Sequence, residues 1–367
     1  MLKAYKYRIY PNKEQKIQIA KTFGCCRFVY NQTLAYRKDT YENEKKSVSK
    51  TDCNNYCNRE LKKEYEWLKD VDKFALTNAI YNMDAAYRKF FKEHAGYPKF
   101  KSKRDNHKSY TTNYTNENIV VDFEKGRVKL PKLKMVKAKQ PREFEGQIKS
   151  ATISQMPSGK YFVSILVEEE QVELPKVEKS IGIDLGIKDL VITSDGEKID
   201  NLKLIKKYEN KLVRQQRKLA HKQKGSKNRE KQRIKVAKIY EKIANTRNDY
   251  LHKISHKLIN ENQVIVSEDL SVSKMVKNSN LAKPISDCGW SELTRQLQYK
   301  ADWYGRTYVK IGRFVPSSQI CHVCGYKNEE TKDLSVRKWT CPQCRTEHDR
   351  DINAAINIQN EGLKQIA

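Results

Sequence analysis

No run of about eighteen apolar residues occurs in the 367-residue sequence, so it offers no segment able to span a bilayer. Its opening residues, MLKAYKYRIYPNKEQ, lack the apolar core of a secretory signal, and the expected location is the interior of the cell. Acidic charge is scarce, with 45 Asp+Glu against 73 Lys+Arg and a net charge of +28. That field points to nucleic acid as the partner, the bland alternative being a merely soluble or ribosome-associated basic protein. Lysine dominates arginine, which suits phosphate attraction more than bidentate base reading. A disulfide framework is also missing. Of nine cysteines, four form two C-x-x-C pairs, while Cys25, Cys26, Cys53, Cys57 and Cys288 are scattered and read as reduced thiols.

What is present is length enough for two or three domains and a 38% hydrophobic content sufficient for packed cores. LKAYKYRIY alternates like a strand and stops at Pro11, where Asn12 begins a helix entry. Apolar residues then recur at three and four spacing to about Phe100, predicting helices. YPKFKSKRDNHKSYTTNYTNEN is basic, aromatic and turn-rich, a domain boundary whose interleaved rings and charges suit single-stranded RNA. NIVVDF, RVKLPKL, IKSATISQM and KYFVSILVEEE read as strands joined by hairpin turns, predicting a small antiparallel barrel that the first strand can rejoin.

The pattern changes at Pro175. A strand hairpin, two charged helices over about 203–224 and 227–260, the strand in NQVIVSEDLSV, the helix WSELTRQLQYKADWYGR and the strand TYVKIGRFV predict an α/β core. The Lys/Arg faces of the two charged helices fit either a solvated surface or a rail for phosphates. Three carboxylates stand out in this core. Asp184 interrupts the apolar run SIGIDLGIKDL, Glu268 ends the run VIVS, and Asp351 in HDRDINAAINI falls in the first turn of a helix capped by Asp349. Three converging carboxylates repel unless cations neutralise them, and the oxygen-only donor set suits Mg²⁺ or Mn²⁺, two per site, for phosphodiester hydrolysis.

Between the second and third acids, Cys321/Cys324 and Cys341/Cys344 are separated by sixteen residues, the spacing of a four-thiolate ribbon holding one structural Zn²⁺. His322 and His348 lie near enough to compete, but four sulfurs complete a tetrahedron, so both are expected not to be ligands.

The motifs YKYRIYPNKEQ, RFVYNQTLAYRK, YPKFKSK, IGIDLGIKDL, VIVSEDL, SSQICHVCG, WTCPQC and HDRDINAAINI, in that order, resemble the TnpB family of bacterial and archaeal insertion sequences, relatives of type V CRISPR effectors. The resemblance implies a RuvC-type RNase H core over residues 176–315 and 347–367, interrupted by a zinc ribbon at 316–346. It also implies a wedge barrel over 1–10 and 106–175 carrying an inserted helical recognition domain at 11–105. The implied activity is RNA-guided, metal-dependent cleavage of DNA next to a short flanking motif. Asp184, Glu268 and Asp351 match the catalytic acids.

The implied partners are a transposon-derived guide RNA and double-stranded target DNA, with the transposase of the same element a further candidate. The setting is the prokaryotic cytoplasm, nucleoid-associated when bound to target, with no membrane contact. By the same resemblance Lys73, Phe74, Thr77, Thr115 and Asn116 read the flanking motif, while Tyr97, Lys99 and Lys101 are candidate nucleic-acid contacts. Phe74 reads equally as a core residue and the others as solvated surface. Many relatives extend in a long C-terminal tail, whereas this sequence ends at GLKQIA, so no role for a tail is expected. A nuclease-inactive RNA-guided repressor and a strand-transferring transposase are the alternatives.

Overall fold

Alternation decides the first element. In β1 (Leu2–Tyr10), Tyr5, Tyr7 and Ile9 are buried between more exposed neighbours, the period of a strand with one face on a core. Asn12 then opens α1 (Lys13–Glu44) with a capping box: its side chain accepts from the Gln15 amide, and the Gln15 side chain accepts from the Asn12 amide. These elements belong to a computed structural model that describes residues 1–106, 108–140, 142–313, 315–333 and 335–366. His107 of the basic aromatic segment and Phe314 of the last expected strand lie outside the described residues.

Two short helices, α2 (Lys50–Tyr56) and α3 (Lys62–Glu64), are joined by a π-helical turn and lead to α4 (Lys73–Glu93). The Asp72 carboxylate caps α4 by accepting from the Ala75 amide at 3.0 Å. Leu76, Ile80 and Met83 on α4 pack into one core with Val29 and Leu34 of α1, each full burial stabilising by roughly 1.5–3 kcal/mol. Cys25, Cys26, Cys53 and Cys57 are free thiols in this core, where burial pushes their pKa values up and keeps them unreactive.

Six strands follow: β2 (Lys108–Asn113), β3 (Val120–Asp122), β4 (Arg127–Leu130), β5 (Lys134–Lys139), β6 (Gln147–Gln155) and β7 (Tyr161–Glu168). With β1 they form an antiparallel sheet in the order β2-β6-β7-β1-β5-β4-β3. The first strand therefore returns to the later ones, as expected. The expected barrel, however, is an open sheet among the described residues, since the outer strands β2 and β3 are not paired. Three-residue β3 offers few backbone groups for closure, and only Arg8–Tyr10 of β1 reach β5 while Leu2–Ile9 run along β7. β2 is a strand inside the turn-rich boundary stretch, within the 106–175 range expected for the wedge.

The chain divides into two compact units, Met1–Glu170 and Gln171–Ala367. Residues just after the division belong to the second unit by hydrogen bonding: the Leu174 amide donates to Tyr304 and Arg306 donates to the Pro175 carbonyl. The second unit contains β8 (Ser180–Asp184), β9 (Asp189–Thr193), β10 (Lys198–Asp200), α5 (Leu204–Ala220), α6 (Lys227–Glu261) and β11 (Val264–Glu268). It continues with α7 (Val272–Met275), α8 (Ser279–Cys288), α9 (Trp290–Tyr304) and β12 (Thr307–Ile311), then β13 (Lys338–Thr340), β14 (Glu347–Asp349) and α10 (Arg350–Lys364). The main sheet has the order β10-β9-β8-β11-β12, antiparallel across β10, β9 and β8 and parallel across β8, β11 and β12. α5 and α6 form a helical hairpin around Leu212, Val236, Ile239 and Ile243.

Small residues let α10 lie against this sheet. A side-chain carbon on Gly182, in the middle of β8, would sit 2.1 Å from the Ala355 carbonyl oxygen of α10. One on Gly362 would sit 2.2 Å from Val266 of β11. Glycine at both positions permits close helix-on-strand contact, and Gln359 fastens it by donating to the Ser180 carbonyl at 2.9 Å.

Candidate active site and cysteine cluster

β8 and β11 pair in parallel with Val264 opposite Ser180 and Ser267 opposite Ile183, so their last residues, Asp184 and Glu268, share one end of the sheet. The third acid arrives on α10. The Asp349 carboxylate caps that helix by accepting from the Asp351 and Ile352 amides at 3.1 and 3.2 Å, and Lys198 donates to its other oxygen at 2.6 Å. Asp351 thus occupies the first turn, where the helix dipole favours a carboxylate.

The three charges act on one another. Burial, then Glu268, then Asp351 push the Asp184 carboxyl up to about 7, against the opposing pull of the Leu185 amide and Arg350. Two neighbours oppose this congestion: the Ser317 hydroxyl donates to Glu268 Oε1 at 2.6 Å, and Arg337 Nη1 lies 3.2 Å from Asp351 Oδ2. Ser317 opens the motif SSQICHVCG, but neither it nor Arg337 carries a sequence signal for contact with the acids, because both reach them from the segment around the cysteines. Asp184 and Asp351 border a cleft of about 550 Å³ together with Lys188, Lys203, Arg337 and Arg350. Glu268 borders a second cleft, of about 410 Å³, that shares Leu185 with the first. An oxygen-rich set of mutually repelling acids inside a cationic rim fits hard divalent cations and a phosphodiester.

Among the described residues, Cys321, Cys324, Cys341 and Cys344 are the one group of three or more candidate ligands whose ligating atoms all lie within 4.8 Å of one another. Cys321 and Cys344 sulfurs are 3.6 Å apart, as are those of Cys324 and Cys341. A tetrahedron with metal–sulfur bonds of about 2.3 Å has edges of about 3.8 Å, so the thiols fit zinc and are too far apart to be disulfides. The cluster gathers without either histidine. His348 Nε2 instead lies 3.1 Å from the Cys321 sulfur, and its ring is tilted against Trp339.

Asn353 on α10 joins this segment to the acids: its amide donates to the Ile320 carbonyl at 2.7 Å, and its Oδ1 accepts from the His322 backbone amide at 3.1 Å. Asn357 also donates to Ile320, at 2.6 Å.

In the first unit, Lys73, Phe74 and Thr77 lie in the opening turns of α4, with the Lys73 ammonium 5.0 Å from the centre of the Phe74 ring. Phe74 is only partly buried. Thr77 donates back to the Lys73 carbonyl at 3.2 Å. Thr115 and Asn116 are exposed in the turn after β2, where Asn116 has a left-handed φ of 46°. Asn78, which sequence reading passed over, ties these two places together by donating to the Thr111 carbonyl at 3.0 Å and to Asn113 Oδ1 at 3.1 Å.

Tyr97 belongs elsewhere, its hydroxyl 2.8 Å from that of Tyr87 in the last turns of α4. Lys101 is pinned to α1 through paired hydrogen bonds with Asn31, and its ammonium lies 4.1 Å from the centre of the Tyr30 ring. Lys99 is exposed.

Comparison with known proteins gives the family and the fold. Residues 164–279 match the OrfB_IS605 family, described as "Probable transposase", residues 290–358 match the Cas12f1-like TNB domain, and residues 1–46 match the OrfB_IS605 helix-turn-helix domain. Within residues 1–46 the structure has β1 and the single long helix α1.

A Streptomyces pristinaespiralis protein named "Putative RNA-guided DNA endonuclease" is 38% identical over 366 residues, covering 98% of this chain and 89% of that protein. An Escherichia coli K12 protein, "Putative RNA-guided DNA endonuclease InsQ", is 32% identical, covering 100% of this chain and 94% of that one. The chain in a solved Cas12f1-sgRNA-target DNA complex superposes with a TM-score of 0.63 at 13% identity, over 98% of this chain and 99% of that one. The fold is thus of the Cas12f1-like class. With relatives this similar along nearly its whole length, the chain belongs to the TnpB family.

Proposed function

We propose that the protein is an RNA-guided, metal-dependent DNA endonuclease that cuts DNA complementary to a bound guide RNA beside a short flanking motif. The observation that carries this reading is that Asp184 and Glu268 end neighbouring parallel strands and Asp351 opens α10 beside them, where burial first and then the two neighbouring carboxylates push the Asp184 carboxyl up to about 7. The names of the relatives support the substrate and the guide. In this reading the second unit is a RuvC-type RNase H core interrupted by a zinc ribbon. The open sheet of the first unit is the wedge element, with the helices α1 to α4 as its recognition domain.

Asp184, Glu268 and Asp351 would hold Mg²⁺ or Mn²⁺, which supplies an activated water and charge neutralisation at the leaving oxygen when bound. The chain's own side chains do the rest. Exposed Lys188 and Lys203 at the rim attract the phosphate backbone, buried Arg350 offsets the charge on Asp184, Arg337 balances Asp351, and the Ser317 hydroxyl orients the Glu268 carboxylate. In this reading Lys73, Phe74, Thr77, Thr115 and Asn116 read the flanking motif, and Asn78 holds α4 against β2. Pairing between guide and target carries the remaining sequence information.

The match to a family described as "Probable transposase" favours one second reading, strand transfer by the same acids. Protein copurified with its RNA is incubated with matched DNA and Mg²⁺, and the products are sequenced. Hydrolysed ends without joining are expected, whereas joined ends would establish transfer. Replacement of Asp184, Glu268 or Asp351 by Ala should each lower cutting by at least about a thousandfold while the ribonucleoprotein still forms. Asp349→Ala should cost far less. Undiminished cutting by Asp184→Ala would remove the assignment.

A further inference from the structure

The end of the helical pair α1 and α4 remote from Lys73 carries a cavity of about 710 Å³, which Tyr97 alone of the candidate contacts named above enters. It is walled by Tyr41, Tyr87, Phe90, Phe91 and Tyr97. Phe90 packs edge-on against Phe91 at 5.0 Å and against Tyr97 at 5.3 Å, and Tyr87 and Tyr97 share a hydrogen bond of 2.8 Å. Rings in such a cluster normally bury one another, yet Phe91 remains 67% exposed, Tyr41 59% and Tyr97 44%.

Charge at the rim has one sign in excess. Arg37, Lys38, Lys45 and Lys46 line the cavity against the single carboxylate Glu42, which Lys38 approaches at 3.6 Å. Arg37 is held by Asp84 at 3.0 Å and stacks 4.3 Å from the centre of the Tyr87 ring. The Lys45 ammonium donates to the Glu42 carbonyl at 3.2 Å and lies 5.9 Å from the centre of the Tyr41 ring, so it keeps its full charge at the rim beside Lys46.

We propose that this cavity receives an unstacked nucleobase of single-stranded RNA, the base lying on the exposed rings and the flanking phosphates on Lys45 and Lys46. The inference rests on the guided reading above and deepens it by naming a contact. A volume inside the roughly 300–1,000 Å³ range of ligand pockets holds one nucleotide. Aromatic faces are sequence-tolerant partners for bases, and the excess of cationic side chains at the rim selects a polyanion over an apolar peptide.

The test uses the full chain and a fluorescent oligouridine carrying one 5-iodouridine. Photocrosslinks are expected within residues 37–48 or 87–97. Phe91→Ala or Lys46→Glu should weaken binding about tenfold, and Phe91→Trp should retain it. Phe91 is exposed, so the melting temperature of Phe91→Ala should match the parent and separate lost binding from lost folding.

Equal oligouridine affinity in parent and Phe91→Ala, or crosslinks confined to other segments, would overturn the pocket while leaving the guided reading in place. Absence of RNA binding by the parent would overturn that reading itself. Binding of a Phe- and Asp-rich peptide by the parent but not by Phe91→Ala, with oligouridine held equally by both, would assign the cavity to a protein partner and reject the proposal.

Discussion

Asp184 shows how one side chain links fold and chemistry. An acid at the end of a buried strand costs folding energy when ionised, and burial with two neighbouring carboxylates moves its pKa from 3.8 to about 7. A raised carboxyl pKa favours the folded state in its protonated form. That contribution is complete below about pH 4 and is lost as pH rises through about 7, a span worth on the order of 4 kcal/mol. Chelated protein should therefore lose thermal stability across this window relative to Asp184→Asn, the difference closing at low pH and on adding Mg²⁺ at pH 7. Melting curves of both proteins from pH 4 to 8 measure it. Parallel curves with no closing difference would remove Asp184 as the strained group.

Among elements, α10 is the one on which the site depends. It brings Asp351 to the strand ends only because Gly182 lets its backbone touch β8, so Gly182→Ala, forcing a carbon to 2.1 Å from the Ala355 carbonyl, should cost at least about 3 kcal/mol. Gly24→Ala in α1, with nothing within 4 Å, should be neutral or stabilising by up to about 1 kcal/mol. Comparing the two melting temperatures checks the argument, and equal shifts would contradict it. The cysteine segment holds the other side of α10 through Asn353 and Asn357. Protein purified without chelator should carry about one zinc per chain, and Cys341→Ser should release it and lower cutting although Cys341 never meets substrate. Elemental analysis beside a cleavage assay reads both effects.

For the whole molecule, the governing quantity is the net charge of +28. Protein without RNA should bind DNA of any sequence, and its affinity should fall by several hundredfold or more between about 50 and 200 mM salt. Specificity should arrive with the guide. Exchanging the guide segment should retarget cutting, while substitutions at Lys73, Thr77 or Asn116 should change only the flanking requirement, each base-edge contact being worth about 1–3 kcal/mol at its own position. Cleavage of a randomised flank library with two guides tests this. Equal cutting of matched and unmatched targets would reject guided recognition.

Local chemistry was enough to read the strand ending at Pro11, the helix capped by Asn12, the two charged helices, the run ending in Glu268 and the thiolate spacing of Cys321 to Cys344. Each depends on residues a few positions apart, through periodicity, capping or ligand spacing. The same locality left β2 hidden in a turn-rich segment and suggested closure where the first sheet stays open. Only tertiary structure placed Ser317 on Glu268, Arg337 on Asp351, Asn78 of α4 on β2 and five aromatic rings around one cavity. Those contacts join side chains far apart in the chain, and sequence period carries no record of which distant groups the packing of helices on sheets brings together.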